Sequence, residues 1–129
     1  MVLDMAGELF LRSNEWRDLE VFGARLFGIL DAKIEQVRDS DNVAGGRYLV
    51  GKACGLRLRL EILDDREFSS YNFLLSFEPW IRERGSSSVQ LDAFADIVAK
   101  YLAREGIAVA RPLGFGTFDR ASVKYEPQR

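Results

Sequence analysis

The alternation of apolar and polar residues is strictest in the middle of the chain. There, Leu56, Leu58, Leu60 and Ile62 alternate with Arg57, Arg59 and Glu61. Because successive side chains of a strand point to opposite faces, this pattern predicts a strand with one buried face. The alternation recurs over residues 71–78 and ends at Pro79. A shorter strand is predicted at residues 47–50, before the glycine-flanked stretch 51–55, which would form a hairpin turn or a bulge.

The first segment with helical periodicity covers residues 15–30, where apolar residues recur at spacings of three and four. Ser13 and Asn14 precede it and are the candidate N-caps. A strand over residues 32–37 is predicted directly after the helix. The sequence Asp-Ser-Asp-Asn at 39–42 then has the composition of a turn.

The second helix has the clearest boundary signals. Ser87 and Gln90 have the spacing of a capping box, and Gly106 stands where a left-handed C-cap is expected. Strands are predicted after it at residues 107–110 and 121–125. The order of helix, strands, helix, strands predicts an α+β fold, with an antiparallel sheet of about five to six strands and two main helices packed on one face. We expect the 129 residues to form a single domain.

Composition excludes several classes of enzyme. The chain has no His and one Cys, so Ser-His-Asp catalysis, Cys-His catalysis and a tetrahedral zinc site of the usual ligands are all excluded within one chain. Composition leaves open a carboxylate site for magnesium and acid–base catalysis by a carboxylate of raised pKa in a concave pocket. No pair of acidic residues is singled out for either role. We therefore expect a binding protein without catalytic residues, metal or cofactor.

Two ligand-binding motifs are matched only in part. The segment Gly46–Lys52 has most of the phosphate-loop pattern, but Ala53 replaces the hydroxyl residue and a strand pattern follows where a helix is needed. Asp39, Asp41 and Asn42 begin like a calcium loop, but Val43 occupies a ligand position. Turn chemistry explains both segments better than ligand binding.

Charge and hydropathy indicate the expected cellular location of the protein. The formal net charge is −2 and the pI about 5.2, so nonspecific binding to nucleic acid or to an anionic membrane is not expected. Asp4 stands where a signal peptide would carry basic residues, and the apolar runs are shorter than a membrane span. A cytoplasmic location is expected, which suits the single Cys54.

The acidic residues of two predicted turns are the candidate partner-binding residues. They are Asp39 and Asp41 in the first turn, and Asp64, Asp65 and Glu67 in the second. If the strands before these turns are neighbours, the five carboxylates form one patch; the alternative is two solvated turns. Residues 1–45 hold nine acidic and five basic side chains, which agrees with a negative surface that steers a cationic partner.

Two further features carry alternative interpretations. Trp80 follows Glu78 and Pro79, at a position where periodicity does not require burial, and is a candidate aromatic anchor for a partner. Arg57 and Arg59 share the polar face of their strand. They can pair with Glu61, with Glu78 or with a partner, or simply form a solvated face.

A family resemblance adds to this picture. It is carried by the segments Tyr48–Gly51, Gly55–Leu60, Asn72–Pro79, Ala103–Gly106 and Arg111–Gly116. In these segments the chain resembles bacterial immunity proteins that accompany contact-dependent growth inhibition toxins. The resemblance implies a cytoplasmic antidote that binds a cognate toxin domain, often a nuclease. It assigns no functional residue, because such interfaces differ between toxins.

A second class has similar size and charge. Secretion chaperones of bacteria are also small acidic proteins of mixed α and β order, and they bind an exported effector as homodimers. That alternative predicts a stable homodimer with exposed apolar grooves. The strand predicted at residues 121–125, with no amphipathic helix after it, departs from the chaperone pattern.

Overall fold

The computed structural model describes residues 7–13, 18–42, 44–53, 55–64, 70–79, 88–112 and 122–127. In chain order the elements are β1 (Glu8–Arg12), α1 (Leu19–Ile29), β2 (Lys33–Asp39), β3 (Ala44–Ala53), β4 (Leu56–Ile62), β5 (Phe73–Pro79), α2 (Ser88–Arg104), β6 (Ala108–Pro112) and β7 (Ser122–Tyr125). The predicted α+β class is confirmed, with seven strands in the described residues where five to six were expected.

The strands form one antiparallel sheet in the order β2-β3-β4-β5-β1-β6-β7. The sequence pattern gave no sign of β1, which lies between β5 and β6. Its central residues Leu9, Phe10 and Leu11 are all buried, because the helices cover one face and further side chains cover the other. A strand buried on both faces has no alternation to detect.

The predicted faces of the middle strands are confirmed. Leu58 of β4 lies opposite Phe77 of β5, and Leu60 lies opposite Leu75. All four side chains are buried against the helices. The register aligns the apolar set of each strand on one face, so the polar set, including Arg59, lies on the other.

Helix α1 begins later than the sequence predicted. Its N-cap is Asp18, whose carboxylate accepts hydrogen bonds from the backbone N–H groups of Glu20 and Val21 at 3.0 Å. Ser13 was predicted as a cap but belongs to the end of the β1 segment, and Asn14 lies outside the described residues. An Asp cap in the first turn satisfies two backbone donors and suits the positive end of the helix dipole.

Both helices pack on the same face of the sheet. Phe22 of α1 stacks on Phe73 of β5 with ring centroids 4.2 Å apart, and Phe94 of α2 meets Phe77 edge-on at 5.3 Å. A single apolar core joins them. After α2, Gly106 has the predicted left-handed conformation with φ of 93°. No helix in the described part of the chain is long and apolar enough to cross a membrane.

The face opposite the helices divides into two regions. Over β1 and β6, Leu63, Tyr71 and Leu74 pack against the buried pair Phe10 and Ala110. Over β2, β3 and β4, the same face carries polar and charged side chains. We call this second region the open face.

Candidate functional site

The sheet brings the two acidic turns to one end. Strands β2 and β4 run in the same direction, because each pairs antiparallel with β3 between them. Asp39 ends β2, Asp41 follows in the turn, and Asp64 follows β4. The supposition that β2 and β4 are neighbours is therefore wrong, since β3 separates them. The turns nevertheless share an end of the sheet.

Arg47 links this end of the sheet to the start of α1. Its Nη1 donates to Glu20, and its Nε lies 3.4 Å from Oδ1 of Asp39. The hydrogen bond and charge of Glu20, followed by those of Asp39, raise the pKa of the Arg47 guanidinium. Both ion pairs are solvent-exposed, so each adds little to stability. They join Arg47 of β3 to Glu20 of α1 and to Asp39 of β2.

A groove of about 330 Å³ lies around this link. Its lining consists of Asp18, Leu19, Glu20, Asp39, Gly46, Arg47 and Ile62. Together with the exposed Asp41 and Asp64, these elements present five carboxylates and one guanidinium. We call Asp18, Glu20, Asp39, Asp41 and Asp64 the acidic end. Within the described segments, no group of three or more acidic or Cys side chains has the arrangement of a metal site.

The acidic end contains three of the predicted partner-binding residues and two that were not predicted. Asp39, Asp41 and Asp64 lie at the same end of the sheet, whereas Asp65, Glu67 and Trp80 lie outside the described residues. Asp18 and Glu20 were missed because the helix was predicted to begin earlier. An Asp followed two residues later by a Glu is typical of a helix N-cap and first turn, and this pattern could have identified them.

A second groove, of about 110 Å³, lies on the open face. It is lined by Glu35, Gln36, Arg38, Tyr48, Val50, Arg57, Arg59 and Glu78. The guanidinium carbon of Arg59 lies 4.2 Å from the centre of the Tyr48 ring, and its Nε donates to Glu61 at 2.8 Å. Of the alternatives left open for Arg59, the structure shows the pairing with Glu61.

One acidic side chain has a strongly shifted pKa. Burial, followed by the charge of Glu61, raises the pKa of Glu8 to about 7. Glu8 lies on β1 opposite Ser76 of β5, which in turn lies opposite Arg59 of β4. Glu8 was missed because β1 itself was not predicted, and it lines neither of the two grooves described above.

Comparisons of the chain with protein-family models, with curated proteins and with solved structures found no match.

Proposed function

We propose that this chain is a bacterial immunity protein that binds and neutralises a cognate toxin domain of the nuclease class in the cytoplasm. The observation that carries the proposal is the acidic end, where Asp18, Glu20 and Asp39 line a groove together with Arg47, and the exposed Asp41 and Asp64 lie at the same end of the sheet. The resemblance to immunity proteins of contact-dependent growth inhibition supports the same conclusion.

The physical basis is charge complementarity with a nuclease. A nuclease domain carries a basic groove for its nucleic acid, and an acidic protein surface can occupy that groove. Opposite charges accelerate the encounter of the two proteins, and the acceleration falls as salt is added. The groove at the acidic end is large enough to admit the side chain of a Lys or Arg from the toxin, with Glu20 and Asp39 in its lining.

Rigid elements hold the carboxylates of this surface. Asp18 is fixed as the cap of α1, and Glu20 and Asp39 both contact Arg47. A surface that is ordered before binding loses less conformational entropy when the complex forms. Three of the five carboxylates of the acidic end therefore have contacts within the protein that favour their positions before binding.

The test begins with affinity capture of the tagged protein from its own host, followed by identification of the captured chain. We expect the toxin domain of a large surface protein in a one-to-one complex. The captured domain should arrest growth when expressed alone in a bacterial host and should be harmless when this chain is co-expressed. A captured domain whose toxicity persists beside an excess of this chain would contradict the proposal.

A secretion chaperone is the second candidate, and one observation favours it. Ile97 and Tyr101 occupy adjacent turns of α2 and are 64% and 44% exposed. Such an apolar pair on a helix surface can form part of a homodimer interface. Light scattering tests the second candidate: the chaperone requires a stable dimer that Ile97→Lys disrupts, and a monomer in solution would reject it.

A further inference from the structure

Like charges lie side by side in register across the open face. Lys33 of β2 lies opposite Lys52 of β3 in the strand register, and Lys52 lies opposite Arg57 of β4. All three side chains are exposed. Like charges directly opposite each other in a sheet destabilise it. Arg57 in turn lies opposite Glu78 of β5, so the row carries three cations and one carboxylate and on balance attracts an anionic partner.

In the adjoining groove, Arg38 and Arg59 each use one guanidinium nitrogen, Nε, for a hydrogen bond to a neighbouring side chain. Nε of Arg38 donates to Gln36 at 2.5 Å, and Nε of Arg59 donates to Glu61 at 2.8 Å. Among the residues that the structure describes, the terminal nitrogens of Arg38 and Arg59 have no protein acceptor. These paired N–H donors match the two oxygens of a carboxylate or the oxygens of a phosphate.

The surrounding groups favour a carboxylate of a protein over a nucleic acid. The Tyr48 ring is covered by Arg59, so this face is not open to stack on a base. Glu35 and Glu78 also line the groove, and they would repel a continuous phosphate backbone. A protein segment of mixed charge can instead place an acidic side chain between them.

We infer that the open-face groove is the docking site for an acidic segment of the protein partner, with an Asp or Glu carboxylate bound by the forks of Arg38 and Arg59. This inference rests on the proposed protein-binding function. It adds that the partner surface is bipolar, with basic side chains at the acidic end and an acidic segment at the open face. The two regions are adjacent, because Arg38 directly precedes Asp39.

The test uses three probes with the intact chain at low salt, followed by NMR of backbone amides and of the Arg Nε–H groups. The probes are a 12-residue Ser peptide with two central Glu residues, the matching Ser peptide with two central Lys residues, and a 12-nucleotide single-stranded DNA. The Glu peptide should shift the Nε–H signals of Arg38 and Arg59. The Lys peptide should shift the amide signals of Asp41 and Asp64.

Matched variants separate the groove from general electrostatics. We expect Arg38→Gln with Arg59→Gln to weaken binding of the Glu peptide by about tenfold or more. Arg38→Lys with Arg59→Lys should weaken it by about threefold, since Lys keeps the charge but lacks the planar pair of N–H donors. The control pair, Arg25→Gln with Arg104→Gln, removes the same charge from exposed helix positions and should change binding by less than about twofold. If Arg59→Gln impairs folding, Arg38→Gln alone serves.

Equal weakening by the control pair, shifts outside the groove, or tighter binding of the DNA than of the Glu peptide would each overturn the inference. Failure of the Glu peptide alone would reject the groove and leave the acidic end in place. Failure of the Lys peptide alone would instead count against the proposed function, so the two hypotheses fail separately.

Discussion

The side-chain amide of Asn72 forms hydrogen bonds with both the backbone N–H and the backbone carbonyl of Ser13. The Oδ1 atom accepts from the Ser13 N–H at 3.0 Å, and Nδ2 donates to the Ser13 carbonyl at 3.1 Å. The backbone N–H of Asn72 also donates to the carbonyl of Leu11. These bonds continue the pairing of β1 with β5 beyond the last strand residues, and they satisfy backbone groups at a partly buried position.

Replacing Asn72 by Ala removes both side-chain hydrogen bonds and leaves two backbone groups of Ser13 without them. We expect Asn72→Ala to lower the free energy of unfolding by about 1–3 kcal/mol. Urea denaturation measures the change, with Asn42→Ala in an exposed turn as the control. Equal stability of the two variants would show that the bonds to Ser13 contribute nothing to the fold.

Gly51 permits the close approach of β2 and α1 to β3. A Cβ atom at this position would lie 2.8 Å from the carbonyl oxygen of Lys33 and 2.9 Å from Cε2 of Phe27. Because a paired backbone carbonyl cannot move without shifting its strand, we expect Gly51→Ala to destabilise the protein by about 2–3 kcal/mol.

Gly28 provides the matched control for this substitution. A Cβ atom there meets nothing within 4 Å, and the residue is helical. We expect Gly28→Ala to stabilise the protein by about 0.5–1 kcal/mol, since Ala has the higher helix propensity. Thermal unfolding of both variants measures the difference, and the same sign of effect for the two would contradict this description of the packing.

Glu8 should make stability depend on pH in a range where few other groups titrate. Its pKa is about 7 in the folded protein, against 4.5 for the ordinary group, so the folded state favours the protonated form. This stabilisation is complete below pH 4.5 and is lost as the pH rises through 7. The chain has no His to produce a competing change.

Glu8→Gln tests this dependence because Gln keeps the shape of the protonated acid and cannot ionise. Urea denaturation between about pH 5 and pH 8 should show the parent protein losing stability relative to the variant as the pH rises. The variant should be the more stable of the two at the upper end of this range. Parallel curves for the two proteins would contradict the assigned pKa.

The sequence correctly predicted the elements in which apolar residues recur at one regular spacing. Strand β4 and helix α2 each bury one face, so their apolar residues recur every second position or every three to four positions. Strand β1 buries Leu9, Phe10 and Leu11 together and gives no such pattern. The start of α1 was misplaced because Ser13, Asn14 and Asp18 are all good caps by residue type, and tertiary packing decides among them.

Some residues of the candidate sites could likewise be predicted from the sequence, and others could not. The turn acids Asp39, Asp41 and Asp64 could be predicted, because turn chemistry marks the strand ends at which they lie. The contact of Arg47 with Glu20 could not, since it joins residues far apart in the sequence. The row of Lys33, Lys52 and Arg57 likewise depends on strand register, which a single sequence does not specify.

The central claim, that the acidic end steers a basic toxin, is tested most directly by the association rate of the captured complex. Asp41→Lys with Asp64→Lys reverses two exposed charges outside the Arg47 ion pairs. The control pair, Asp31→Lys with Glu126→Lys, also reverses two exposed charges. Asp31 precedes β2 and so lies at the opposite end of that strand from Asp39, whereas Glu126 follows β7 at the same end of the sheet as Asp64, on the edge strand farthest from β2.

At low salt we expect the acidic-end variant to associate about tenfold more slowly or worse, with a weaker salt dependence, while the control pair changes by less than about twofold. An unchanged association rate in a folded acidic-end variant would contradict the claim.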